Sequence, residues 1–92
     1  MRDADKLELL KLNLDRTGNV RDQQLQHYLK VAADKIAEMG ITLTDSAGDA
    51  ELQIAYAAHK FRSRANPDAE LPKDLLWDLR NRLFAEKGAV GE

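Results

Sequence analysis

The sequence predicts an all-α fold, a small bundle of about four helices. In four separate stretches apolar residues recur at every third or fourth position, the spacing that places them on one face of a helix. Only five glycines and two prolines interrupt the 92 residues, which leaves long runs free to form helices. The breaks between the stretches are short, so consecutive helices are expected to pack as antiparallel neighbours.

The first helix is expected to be short and to run to about Leu14, with Asp3 or Asp5 able to cap its N-terminus. Its apolar residues at helical spacing are Leu7, Leu10 and Leu14. The segment 15–19 then breaks the helix, because its glycine and its asparagine both tolerate left-handed backbone and suit a turn.

The second helix has the clearest amphipathic pattern and is predicted from about Val20 to Met39, with Asn19 as its N-cap. Its apolar arc comprises Leu25, Tyr28, Leu29, Ala32, Ala33, Ile36 and Met39. Gly40 stands where many helices end with a left-handed residue, and Ile41 can make the hydrophobic contact that accompanies such an end.

The third helix is predicted to be the central one, because it is apolar on most of its circumference and such helices usually have neighbours on several sides. Its two apolar sides comprise Leu52, Ala55, Tyr56 and His59, and Ile54, Ala57, Ala58 and Phe61. Only a narrow strip through Gln53, Lys60 and Arg64 is polar. The candidate N-caps are Thr44, Asp45, Ser46 and Asp49. The helix is expected to end near Ala65, before the stop signal Asn66-Pro-Asp.

The last helix is predicted to start at Leu71-Pro72, since proline is favoured in the first turn, and to end at Gly88. Its inner stripe comprises Leu75, Leu76, Leu79 and Leu83. Trp77 and Phe84, seven residues apart, form a second apolar stripe on roughly the opposite face. Residues 1–88 are expected to form a single helical domain, and residues 89–92 a flexible C-terminal tail.

The bulk composition excludes several classes of protein. With no cysteine there is neither a disulfide framework nor thiolate chemistry. The formal net charge is −2, whereas a duplex nucleic-acid binder normally carries a basic surplus. No apolar run approaches the ~20 residues that span a bilayer, and the N-terminus lacks the apolar core of a signal peptide, so no membrane partner is expected.

Nothing in the sequence predicts catalysis. It contains no glycine-rich phosphate loop and no His-Glu-x-x-His pair, and its acidic residues are spread along helix surfaces. His27 and His59 lie on separate helices with no acidic partner fixed beside either. We therefore expect a non-enzyme with no catalytic residue, no cofactor and no metal site.

Large apolar side chains on two faces of the last helix are the most informative departure from a simple bundle. The second stripe either lies under the chain's own N-terminal helix or docks another subunit, a setting in which Trp and Arg are favoured anchors. Nearby arginines can contact an acidic partner, although the dipole of the third helix also explains the two at its end. The candidate subunit or partner interface comprises Trp77, Phe84, Arg62, Arg64, Arg80 and Arg82.

Several stretches, in this order and spacing, carry a family resemblance. They are Asp5–Lys11, Ala32–Ile41, Ile54–Ala58 followed by Phe61–Arg64, and then Leu71-Pro72, Trp77 and Asn81–Phe84. Together they resemble the small head–tail connector (portal adaptor) proteins of long-tailed bacteriophages and their prophages. The chain departs from the family's pattern at His59 and Lys60 and in the longer polar linker 65–70.

The resemblance implies a structural virion protein that assembles as a homo-oligomeric ring on the portal protein ring after DNA packaging. The ring would extend the channel, through which genomic DNA passes without sequence-specific binding, and offer a platform to a tail-proximal stopper or tail-completion protein. The protein would then occupy the head–tail junction of the virion, and the host cytoplasm before assembly.

Two other functions stay open on the residues alone. A small helical DNA-binding regulator has this size and helix content, although the second helix carries Asp22, Asp34 and Glu38 beside its lysines rather than a basic recognition face. A generic helical protein-interaction module is the other alternative. Salt-sensitive binding of duplex DNA would favour the regulator.

Overall fold

The computed structural model describes residues 2–15, 18, 21–66 and 68–91, with the backbone alone described for 88–91. Within these ranges the chain forms four α-helices and no strand, a small all-α bundle as predicted. The helices are α1 (Asp3–Asn13), α2 (Asp22–Glu38), α3 (Ala47–Arg62) and α4 (Lys73–Gly91). The bundle is elongated, with principal extents of 47 × 29 × 18 Å.

Helix α3 is the centre of the bundle, which confirms the prediction from its apolar circumference. It packs against all three other helices, most extensively against α2. Ala57 and Ala58 are fully enclosed there, and the small side chains allow the neighbouring backbones to approach closely. The ring of Phe61 is buried at the end of the same helix and meets the ring of Tyr28 edge to face, with 5.9 Å between centroids.

The predicted inner faces of α2 and α4 form the rest of the core. On α2 the buried residues are Leu25, Leu29, Ala32 and Ile36, while Met39 at the end of the predicted arc is exposed. On α4, Leu75 and Leu79 are buried, and Leu76 and Leu83 are partly so. Between α1 and α2 the ammonium of Lys11 lies 2.7 Å from the carboxylate of Asp22.

The polar strip predicted on α3 is wrong at Gln53, which is buried. Its carboxamide nitrogen donates to the carbonyl oxygen of Leu29 (2.9 Å), and its amide oxygen accepts from the ammonium of Lys6 (2.8 Å). A buried amide is tolerated when both of its ends are hydrogen-bonded, so Gln53 joins α3 to α1 and α2 instead of facing water.

The C-terminal end of α2 and the N-terminal end of α3 follow the predicted capping chemistry. Gly40 has a φ of +98°, and its N–H donates to the carbonyl of Ala37 while the N–H of buried Ile41 donates to that of Ile36. This is a Schellman end. At the start of α3, the hydroxyl of Ser46 accepts from the N–H of Asp49 (3.2 Å), which selects Ser46 among the four candidate caps.

Other predicted boundaries need correction. Asp3 and Asp5 lie in the first turn of α1, where the helix dipole favours acids, and the N-cap position is held by Arg2 without a side-chain cap. The N-cap predicted at Asn19 lies outside the described residues. Helix α3 ends at Arg62, three residues earlier than predicted.

The boundaries predicted for the last helix also differ from those observed. Helix α4 begins at Lys73, so Pro72 precedes its first residue, and the carbonyl of Pro72 accepts from the N–H of Leu76. The helix runs through Gly88 to Gly91, because a glycine costs a helix only about 1 kcal/mol and does not forbid it. Flexibility of the segment 89–92 stays a prediction, and Glu92 lies outside the described residues.

Candidate interaction surface

The second apolar stripe of α4 faces outward from the bundle. Trp77 is 64% exposed and Phe84 80% exposed, whereas Leu75 and Leu79 on the opposite side of the helix are buried. The two aromatic side chains are about 10 Å apart along the helix axis. Helix α1 does not cover them, since its main contacts are with α2 and α3. Of the two explanations for the stripe, shielding by the N-terminal helix is therefore excluded.

A row of basic residues runs beside the two aromatic side chains. Lys73, Arg80 and Lys87 follow one another at seven-residue intervals and are all exposed. Within the described part of the chain, none of the three makes an ion pair. We call the surface formed by Trp77, Phe84 and these three cations the outer face of α4. Lys73 and Lys87 were not among the residues predicted for the interface, although their seven-residue spacing from Arg80 was a signal for them in the sequence.

Arg82, two residues from Arg80, belongs to a different part of the molecule. Its guanidinium donates to both carboxylate oxygens of Asp49 (2.8 and 3.2 Å) and to the carbonyl of Thr42 (2.8 Å). It also lies 3.4 Å from the carboxylate of Glu86. We call these residues, together with Thr44, the Arg82 cluster. The cluster fastens α4 to the start of α3 and to the loop before it, so its cation is satisfied inside the chain.

The charges of the Arg82 cluster are strongly coupled. The Arg82 guanidinium lowers the pKa of the Asp49 carboxyl from 3.8 to about 2, and hydrogen bonds from the N–H and hydroxyl of Thr44 act in the same direction against the opposing effect of burial. The hydrogen bond with Asp49 in turn raises the pKa of Arg82. A buried carboxylate with these partners holds its charge through the physiological range.

The other predicted interface cations are Arg62 and Arg64 at the end of α3, and both make contacts within the chain. Arg62 donates to the backbone carbonyl and to the side-chain oxygen of Asn13, both at 2.9 Å, and so links the ends of α3 and α1. Arg64 stacks over the ring of Phe61, 4.0 Å from its centroid, and donates to the Phe61 carbonyl. The structure does not bring these two residues together with Trp77 and Phe84.

A groove opens between α1 and α4, along the first half of α3. It has a volume of about 830 Å³. Leu9 and Leu12, which are 40% and 74% exposed, form its apolar wall on α1. Leu52 lies on its floor, and the carboxylates of Glu51 and Asp78 stand at its rim. We call this feature the α1–α4 groove; nothing in the sequence pattern alone placed these residues together.

The two histidines lie on different helices, His27 on α2 and His59 on α3. His27 is exposed and meets Tyr28 edge to face at 5.8 Å, and His59 is partly buried beside α4. Among the described residues, no group of three or more His, Cys, Asp or Glu side chains is arranged to hold a metal ion. Within the same ranges, no helix is both long enough and apolar enough to cross a bilayer.

Comparison with known proteins found no relative of this chain. No family model matches the chain, and no curated protein and no solved structure matches it at a significant level. The likeness to head–tail connectors therefore rests on the quoted motifs alone.

Proposed function

We propose that this protein is a head–tail connector, a structural subunit that assembles as a ring on the portal of a long-tailed bacteriophage or prophage. The observation that carries the proposal is the outer face of α4, on which Trp77 and Phe84 are 64% and 80% exposed. Two large aromatic side chains in water are a feature of protein–protein interfaces, where Trp is a preferred anchor. The sequence motifs then point to the kind of assembly.

The shape of the domain supports the same proposal. Its length of 47 Å and narrow cross-section suit a subunit that lies beside identical neighbours around a channel. The core is closed by α3 and its neighbours without the outer face of α4, so this face is free to bind a partner at no cost to the fold. A ring of identical subunits needs two different surfaces on each copy.

The proposed partners are the portal ring, neighbouring copies of the chain and a tail-proximal stopper or tail-completion protein. Genomic DNA would pass through the lumen without sequence-specific binding. The net charge of −2 suits this role, because an acidic lumen does not retain a polyanion. Charge reversal of acidic lumen residues should slow genome ejection, and an unchanged ejection rate would contradict this part of the proposal.

The test is co-sedimentation of the purified protein with portal rings from the same genome, followed by electron microscopy. We expect a collar of added density at one end of the portal. Gel filtration of the free protein is not a substitute, since a connector can stay monomeric until the portal provides a template. Absence of a collar, on portals that bind another completion factor, would contradict the proposal and favour a generic interaction module.

A parallel measurement with duplex DNA distinguishes the connector from the remaining alternative, a small helical DNA-binding regulator. A connector should not shift duplex DNA at physiological ionic strength, whereas a regulator should bind it with an affinity that falls steeply with salt. The variant to compare with the natural chain in this DNA-binding measurement is Arg80→Ala, which removes an exposed cation of the outer face without touching the core.

A further inference from the structure

We infer that the outer face of α4 in one copy docks into the α1–α4 groove of the next copy, so that neighbouring subunits bind through two different surfaces. This inference rests on the proposed function and names the surfaces by which the ring would close. It depends on three properties of the two surfaces: apolar matching, opposite charge and relative orientation.

Both surfaces expose apolar groups that a partner could cover. The outer face presents Trp77 and Phe84, and the groove presents Leu12, which is 74% exposed, together with Leu9 and the edge of Leu52. A groove of about 830 Å³ is large enough to accept an aromatic side chain and its neighbours. Burying these groups against each other would remove the largest exposed apolar side chains of α1 and α4 from water.

The charges of the two surfaces are complementary. The outer face carries Lys73, Arg80 and Lys87, and the rim of the groove carries Glu51 and Asp78. Within the described residues, none of these five charges is used in an ion pair of its own chain. The cation inside the groove, Arg82, is already neutralised by Asp49. An acidic rim around an apolar groove therefore favours a basic aromatic helix face over an acidic or neutral one.

The orientation of the two surfaces makes the contact intermolecular and asymmetric. At about 100° per residue, Asp78 at the groove lies about 100° around α4 from Trp77 and about 120° from Phe84. A chain cannot turn the outer face of α4 into the groove that the same helix borders. Because donor and acceptor surfaces differ, each copy can bind one neighbour on each side, which is the heterologous type of contact that a ring of identical subunits requires.

Disulfide cross-linking tests the contact directly, because the natural chain has no cysteine. Four double variants pair one groove position with one outer-face position: L12C/W77C, L12C/F84C, L52C/W77C and L52C/F84C. Each is oxidised as free protein at high concentration and again in the presence of portal rings. We expect at least one pair to give a ladder of three or more linked chains on a denaturing gel, and the single variants to give none.

Two results would overturn the inference. One is the absence of a cross-link in all four pairs under both conditions. The other is efficient dimer formation by F84C alone, which would show that outer faces meet each other symmetrically. Portal sedimentation keeps these outcomes separate from the proposed function. A collar on the portal without cross-links would support the connector function and contradict the proposed contact. Cross-links without a collar would support the contact between copies and contradict the connector function.

Charge reversal gives an independent test. Association is measured for free protein at high concentration and again in the presence of portal rings. The outer-face variant K73E/R80E/K87E and the groove variant E51K/D78K should each lose self-association, and an equimolar mixture should recover it, since each restores the missing complement of the other. A symmetric contact between outer faces predicts instead that the groove variant associates normally, which would overturn the inference. Trp77→Ala should lower the association constant by about 30-fold if it anchors the contact.

Discussion

Replacing Asp49 by Asn should destabilise the fold, and the loss should depend on pH. The Asp49 carboxyl has a pKa of about 2 in the folded chain against an ordinary 3.8. Since one pKa unit corresponds to about 1.4 kcal/mol, the charged form of Asp49 contributes about 2–3 kcal/mol to the free energy of unfolding at neutral pH. For a domain of this size, that loss corresponds to a fall of about 10 °C in the melting temperature.

The sign of the pH dependence follows from the lowered pKa. A carboxyl whose pKa is depressed by folding stabilises the protein fully above its unfolded pKa of 3.8, and the stabilisation disappears as the pH falls through its folded pKa of about 2. The difference in stability between the natural chain and Asp49→Asn should therefore be constant from neutral pH down to about 5 and close between about pH 4 and pH 2.

The measurement is urea unfolding followed by circular dichroism, at a series of pH values, for the natural chain and Asp49→Asn. Asp34→Asn is the matched control, since Asp34 forms an exposed ion pair with Lys30 (3.3 Å) that should contribute only about 0.3–0.5 kcal/mol. A loss at Asp49 no larger than that of the control, or a difference that persists at about pH 2, would refute the assigned role of the Arg82 cluster.

Three further predictions concern stability. Trp77→Ala should change the melting temperature of the monomer by only a few degrees, because the side chain is 64% exposed, whereas a loss of ~3–5 kcal/mol would place it in the core. Ser46→Ala removes the cap of α3 and should cost about 1 kcal/mol, with Ser63→Ala as a control that leaves that cap intact; an equal effect of both would contradict the capping role. Gly40→Ala should cost about 1 kcal/mol or more in urea unfolding because φ is +98°, although the nearest atom to an added Cβ is 3.5 Å away; a neutral result would mean that the turn rearranges.

Much of the fold could be predicted because it is a local property of the chain. The spacing of apolar residues identifies the four helices, and the left-handed backbone at Gly40 follows from residues within a turn of it. For the N-cap of α3 the sequence offered four candidates, and the structure selects Ser46. The central place of α3 was also predictable, since a helix with apolar residues on most sides has to bury them against several neighbours. The predicted helix ends were less accurate, because the last turn of a helix frays and its end is defined only to within one or two residues.

The candidate surface was predicted only in part. The seven-residue spacing of Trp77 and Phe84 placed both on one face, but whether α1 covers that face depends on contacts between distant segments. The four arginines looked alike in the sequence. Arg82 is bound to Asp49, which is 33 residues away, whereas Arg80 on the same helix faces solvent.

The sequence by itself thus determined the helices, their order and the buried stripe of each, because these depend on periodicity and on capping within a few residues. Only the tertiary structure decided which polar side chains are hydrogen-bonded within the chain and which are exposed to solvent. It pairs Gln53 with Leu29 and Arg82 with Asp49, and it forms the α1–α4 groove between helices that are distant in the chain. Hydrogen bonds and grooves of this kind depend on the packing of several helices in space, and no one-dimensional pattern encodes that packing.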